Sequence, residues 1–98
     1  MQTIRLRDIL NQRETILAIA DKHGATNVRV FGSVVRGEAR GESDIDFLVE
    51  MRARHSAWFP SGLRLDLREL LGREVDVVTE PMLDTEIRAD VLRDAVAL

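Results

Sequence analysis

Residues 31–50 read FGSVVRGEARGESDIDFLVE, and two features of this stretch decide how the sequence is interpreted. It opens with a glycine–serine pair, Gly32 and Ser33. It closes on an apolar run interrupted by two carboxylates, Asp44 and Asp46. Because side chains on a strand alternate faces with a period of two, these carboxylates project from the same face. Two like charges held this close repel each other and lose hydration, a cost that building a fold does not require.

A divalent cation would remove this cost. Mg²⁺ commonly binds through one or two carboxylates and completes its octahedron with water and substrate phosphate. Asp76 lies in the middle of another apolar segment, REVDVVTE, which predicts a further strand. If this strand pairs beside the one carrying Asp44 and Asp46, three carboxylates converge. We therefore predict that these three aspartates are metal ligands and catalytic residues, with Asp76 also a candidate base for the acceptor hydroxyl.

The glycine–serine pair predicts a phosphate site. Gly32 allows the backbone to approach a phosphate closely, and Ser33 is expected to begin a short helix. Free backbone N–H groups and the helix dipole favour an anion at such a position. Arg36, one turn further on, can pair with phosphate or with a nearby carboxylate.

The surrounding sequence predicts helices and strands in alternation. Apolar residues at helical spacing indicate a helix over roughly residues 5 to 22, a second near Leu63–Leu71, and a last one that includes Ile87 and Val96. Strands are expected at NVRVFG, DIDFLVE and REVDVVTE. We predict an α/β (α+β) fold, a small mixed β-sheet flanked by helices, as one domain over residues 1–98.

Composition excludes several classes of protein. The chain has no cysteine, so disulfides and thiolate zinc sites are ruled out. Its net charge is −3, which argues against direct binding of long nucleic acid. No apolar run is long enough to span a membrane, and the N-terminus lacks a signal peptide, so we expect a cytoplasmic protein.

The motif Gly32-Ser33, ten intervening residues, then Asp44-x-Asp46 resembles the signature of the minimal nucleotidyltransferases of the DNA polymerase β superfamily. The third acid on a later strand fits Asp76, and the resemblance covers nearly the whole chain. It implies the polymerase β-like nucleotidyltransferase fold. One departure is Val34, at a position where these proteins often carry a basic residue.

The resemblance also implies a Mg²⁺-dependent transfer of AMP from ATP. Gly32, Ser33, Arg36 and Ser43 are assigned to the nucleotide. Many members are antitoxins that are thought to silence a HEPN-type toxin by adding AMP to one of its tyrosines. The chain itself contains no tyrosine, so such an acceptor belongs to another molecule. The sequence leaves homo-oligomerisation open.

Simpler interpretations remain at this point. The aspartates can be solvated acids at strand ends, Ser33 a helix cap, and Arg36 part of a structural salt bridge. The alternatives in function are an antitoxin that acts by binding alone, or a nucleotidyltransferase for RNA or a small molecule. His23 and His55 are expected at the surface, and Trp58 and Phe59 against the Leu63–Leu71 helix.

Overall fold

In the computed structural model of the chain, residues 3–38 and 44–98 are described. The helices are α1 (Leu6–Leu10), α2 (Arg13–Lys22), α3 (Ser33–Arg36), α4 (Ser61–Leu71) and α5 (Thr85–Asp94). The strands are β1 (Ala25–Phe31), β2 (Ile45–Met51), β3 (Val75–Val78) and β4 (Val96–Ala97), and a short 3₁₀ helix spans Glu80–Met82. None of these helices combines the length and apolar character needed to cross a bilayer.

The described strands form one mixed sheet in the order β3-β2-β1-β4. β1 pairs antiparallel with both β2 and β4, whereas β2 and β3 run parallel. A parallel pair needs a long crossover connection, which the segment containing α4 provides. The predicted α/β fold with a small mixed sheet and flanking helices is confirmed. β2 therefore lies in the interior of the sheet, with the strand of Asp76 on one side and the strand preceding Gly32 on the other.

A hydrophobic core fills the space between one face of the sheet and the helices. Ile45, Phe47 and Val49 of β2 project into it and are almost completely buried. The helices contribute Ile9, Ile16, Leu63 and Leu67. On the opposite face Leu48 packs with Leu83 and Val91, so α5 covers part of that face. The predicted alternation along β2 is thus observed, with an apolar contact on both faces.

Two boundaries differ from the prediction. The first helix, expected over residues 5 to 22, is two helices separated at Asn11 and Gln12, and asparagine is a poor helix former. The last helix ends at Asp94, because Ala95 adopts an extended conformation. Val96, expected in that helix, instead lies in β4, where it pairs with Val30 of β1. A strand of two residues is too short to produce a recognisable alternation.

Two side-chain environments were also predicted wrongly. Trp58 is 78% exposed rather than packed on α4, whereas Phe59 does contact the core. His23 is buried, and both of its ring nitrogens have a side-chain hydrogen-bond partner within the fold. Its Nε2 lies 2.6 Å from Asp66 Oδ2 on α4, and its Nδ1 lies 3.1 Å from Ser56 Oγ. The hydrogen bond with His23 holds the pKa of Asp66 below its ordinary value. His55 is exposed, as predicted.

Truncating Phe47 tests the central position of β2. Phe47→Ala should lower the free energy of unfolding by about 3–5 kcal/mol, because Phe47 is fully buried at the centre of the core. Phe47→Leu, which keeps most of the apolar volume, should lose less than about 1.5 kcal/mol. The measurement is urea unfolding followed by far-UV circular dichroism. Leu65→Ala is the control, because Leu65 is half exposed. Equal losses for Phe47→Ala and Leu65→Ala would contradict this packing.

Candidate active site

The turn after β1 brings the backbone close to the carboxylate of Asp46. Phe31, the last residue of β1, is paired with Asp46 on β2. The chain then turns at Gly32, whose φ of 82° and ψ of −152° lie in a region that is essentially restricted to glycine. A Cβ placed on Gly32 would overlap Oδ2 of Asp46. The backbone conformation therefore calls for glycine here, and a side chain at this position would also displace the carboxylate of Asp46.

The parallel pairing of β2 and β3 brings two of the predicted acids together. Asp46 and Asp76 are direct neighbours across this pair, so they lie on the same face of the sheet. Asp44 immediately precedes β2 and is exposed, as is Asp76. Asp46, in the interior strand, is partly buried. The pairing of the Asp76 strand with the Asp46 strand, which was a condition of the sequence-based prediction, is thus present in the structure.

Asp46 has the most perturbed carboxyl group of the site. Its pKa is raised to about 6, first because burial penalises the charged form, and then because Asp76 and Asp44 are negatively charged neighbours. Arg36 acts in the opposite direction. Such a combination of desolvation and a specific charge partner is typical of functional sites. The carboxyl group of Asp46 therefore interacts electrostatically with both Asp76 and Asp44.

Arg36 provides positive charge beside these acids. Its Nε donates a hydrogen bond to Oε1 of Glu38 at 2.9 Å, and its Nη1 lies 3.9 Å from Oδ2 of Asp94 at the end of α5. The pKa of Arg36 is raised, chiefly by the hydrogen bond and the charge of Glu38. The salt bridge considered from the sequence is present, but its main partner is Glu38. The sequence analysis did not single out Glu38 or Asp94, since no residue pattern marks them.

The other predicted nucleotide residues lie in different environments. Ser33 is the first residue of α3 and is partly exposed, so it can reach a ligand. Val34 is almost fully buried in the core. Its side chain therefore points away from any phosphate, and this position adds no charge to the turn. Ser43 lies outside the described residues.

The carboxylates fit a hard divalent cation by their chemistry. Oxygen ligands are those that Mg²⁺ prefers, and Asp76 and Asp44 add negative charge beside the partly buried Asp46. Within residues 3–38 and 44–98, however, no three His, Asp or Glu side chains already converge on a metal position. Asp44 and Asp76 would have to turn toward Asp46 to share a cation, and both are exposed side chains.

Comparison with known proteins shows the family to which the chain belongs. Residues 12–98 match the nucleotidyltransferase domain family. The protein adenylyltransferase MntA of Thermococcus cleftensis is 37% identical over 92 residues, covering 89% of this chain and 93% of that protein. A solved structure described as a minimal nucleotidyltransferase is 43% identical, with a TM-score of 0.82 and coverage of 97% of both chains. A toxin–antitoxin crystal structure with AMP-PNP shares the fold at 23% identity, with a TM-score of 0.70 and coverage of 89% and 71%.

The fold and the acidic site therefore define a nucleotidyltransferase. The chain belongs to the nucleotidyltransferase domain family and has the minimal nucleotidyltransferase fold, as its glycine–serine and aspartate motif indicated.

Replacing Asp46 tests the electrostatic cost of the site. Because its pKa is raised in the folded state, that state binds more protons than the unfolded chain between about pH 4 and 6, and stability falls as the pH rises through this range. Asp46→Asn should therefore increase the free energy of unfolding by about 1–2 kcal/mol above pH 7, and by little below about pH 4. Chemical unfolding in metal-free buffer measures both values. Asp90→Asn, outside the site, is the control, and a loss of stability in Asp46→Asn at neutral pH would contradict the electrostatic analysis.

Proposed function

We propose that this chain is a Mg²⁺-dependent protein adenylyltransferase, which transfers AMP from ATP to a hydroxyl group of a partner protein. The observation that carries the proposal is the position of Asp46. It lies beside Asp76 across the parallel strands and against the backbone of Gly32 at the phosphate turn. Carboxylates for a cation and a turn for a phosphate thus lie at the same end of three neighbouring strands. The proposal takes residues 1–98 as one catalytic domain.

Each residue has a distinct role in the proposed reaction. Asp44 and Asp46 would hold Mg²⁺, which supplies charge neutralisation at the phosphates and lowers the pKa of a bound hydroxyl. The turn at Gly32 and Ser33 would bind the triphosphate, together with Arg36 and Ser43. Asp76 would bind the cation and accept the proton of the attacking hydroxyl.

The proposed reaction is an in-line displacement at the α-phosphorus of ATP. The acceptor oxygen forms a bond to this phosphorus, the bond to the β-phosphate oxygen breaks, and pyrophosphate leaves. The acceptor proton passes to Asp76 or to water held beside it. The open face of the sheet around Asp46 and Asp76 offers access to an acceptor carried by a macromolecule.

We propose that the acceptor is a tyrosine of a HEPN-type toxin, which this chain silences in the cytoplasm as an antitoxin. The similar MntA of Thermococcus cleftensis is named as a protein adenylyltransferase, which supports a protein acceptor. The fold is also that of a component of a toxin–antitoxin complex crystallised with AMP-PNP, which supports both the antitoxin role and ATP as the donor. This chain contains no tyrosine, so a tyrosine acceptor would belong to another molecule.

Mg²⁺ should stabilise the protein through the aspartates. At tenfold its dissociation constant, a ligand of the folded state adds about 1.4 kcal/mol, which raises the melting temperature by several degrees for a domain of this size. The double variant Asp44→Asn, Asp46→Asn should show no such increase, whereas Asp90→Asn should respond like the wild type. Differential scanning calorimetry in buffers of equal ionic strength measures the effect. Equal responses of the wild type and the double variant would place the cation elsewhere.

The transfer reaction itself is tested with α-labelled ATP, Mg²⁺ and the product of the adjacent gene. We expect label and the mass of AMP on the partner protein. The Asp44→Asn, Asp46→Asn variant should lose at least about 100-fold in rate while remaining folded, because metal ions supply several kcal/mol of transition-state stabilisation.

The same experiment separates the alternatives. A stable complex that never becomes labelled would favour neutralisation by binding alone. Label on added RNA, but not on protein, would favour an RNA substrate. Full activity of the folded double variant would contradict the roles given to Asp44 and Asp46. The control is Asp90→Asn, an acid-to-amide change outside the site, which should leave the rate unchanged.

A further inference from the structure

Glu38 occupies a defined position at the phosphate turn. Gly37 ends α3 in the left-handed conformation, with a φ of 73°, and turns the chain back on itself. The backbone N–H of Glu38 then donates a 2.9 Å hydrogen bond to the carbonyl of Ser33, the first residue of α3. Glu38 is thereby placed beside the residues proposed to bind the triphosphate. Its location follows from backbone geometry as well as from its charge.

The carboxylate of Glu38 occupies one particular edge of the Arg36 guanidinium. The Nε of Arg36 lies 2.9 Å from Oε1 and 3.4 Å from Oε2 of Glu38. Nε and Nη2 form the edge that binds a carboxylate or a phosphate side-on, with two parallel hydrogen bonds. Asp94 lies nearest to the other terminal nitrogen, Nη1, at 3.9 Å. Glu38 therefore uses the donor that a side-on phosphate would need, whereas Asp94 does not.

We propose that Glu38 is an internal competitor of the nucleotide, an anion that holds Arg36 and must release it before Arg36 can bind the triphosphate. This inference rests on the proposed function, since it assumes that Arg36 binds phosphate. Both side chains are about half exposed, so water and salt screen their attraction and exchange is easy. Glu38 would thus reduce the affinity for nucleotide without blocking the site.

The test measures nucleotide binding without turnover. Isothermal titration calorimetry with Mg²⁺ and AMP-PNP gives the dissociation constant for the wild type, Glu38→Gln, Arg36→Gln and the double variant. Glu38→Gln should lower the dissociation constant about threefold, as expected for the loss of an exposed competing ion pair. In the Arg36→Gln background the same change should have no effect, because the competition acts through Arg36.

Glu74→Gln is the matched control. Glu74, the residue before β3, has its Oε1 2.9 Å from Nε of Arg68 on α4, which is the same separation as in the pair of Arg36 and Glu38. The Glu74→Gln change removes one negative charge from the protein, as Glu38→Gln does. It should leave the dissociation constant for AMP-PNP unchanged.

Three outcomes would overturn the inference in different ways. If the wild type binds AMP-PNP and Glu38→Gln binds it equally or less tightly, Glu38 is not a competitor, and the proposed function stands. If Glu38→Gln binds more tightly in both backgrounds, the effect is a general one of charge and does not act through Arg36. If neither the wild type nor Glu38→Gln binds the nucleotide, the proposed function fails and this inference fails with it.

Discussion

The contact between the backbone of Gly32 and the carboxylate of Asp46 is the constraint on which the rest of the site depends. It joins the end of β1 to the beginning of β2, and a Cβ at position 32 would displace the carboxylate of Asp46. The turn also adopts a backbone conformation that is essentially restricted to glycine, and α3 begins directly after it. This close approach thus relates the turn at Gly32, the first helical residue Ser33 and the carboxylate of Asp46 to one another.

The two faces of β2 contribute differently, because one packs in the hydrophobic core and the other carries Asp46. Ile45, Phe47 and Val49 project toward the helices and are buried in the main core, whereas Asp46 projects from the other face. Burial and two acidic neighbours make ionisation of Asp46 unfavourable, and the apolar face of the same strand offsets that cost. α5 covers only part of the second face, through Leu48. Asp46 is thereby held on the interior strand β2, beside Asp76 on the edge strand β3, and a position on a strand suits a site that must hold a ligand accurately.

The parts of the fold that follow from local patterns were predictable from the sequence. The alternation of apolar and polar residues indicated the three longer strands, and the glycine–serine pair with its spaced aspartates indicated the candidate site. Features that depend on distant contacts were not predictable. His23 is buried against Asp66, 43 residues further along the chain, and the loop that carries the exposed Trp58 contacts His23 through Ser56. The pairing of Glu38 with Arg36 depends on a backbone turn rather than on a motif.

The parallel pairing of β2 and β3 also determines when the site can exist during synthesis. Asp44 and Asp46 precede Asp76 by about thirty residues, and α4 must form and pack before β3 can align beside β2. Such a connection is made late, because long-range parallel pairing pays its loop-closure entropy before any contact rewards it. A nascent chain that has been synthesised only as far as Met51 contains Gly32, Asp44 and Asp46 but lacks Asp76. The pair formed by Asp46 and Asp76 therefore exists only after the chain has been synthesised beyond β3.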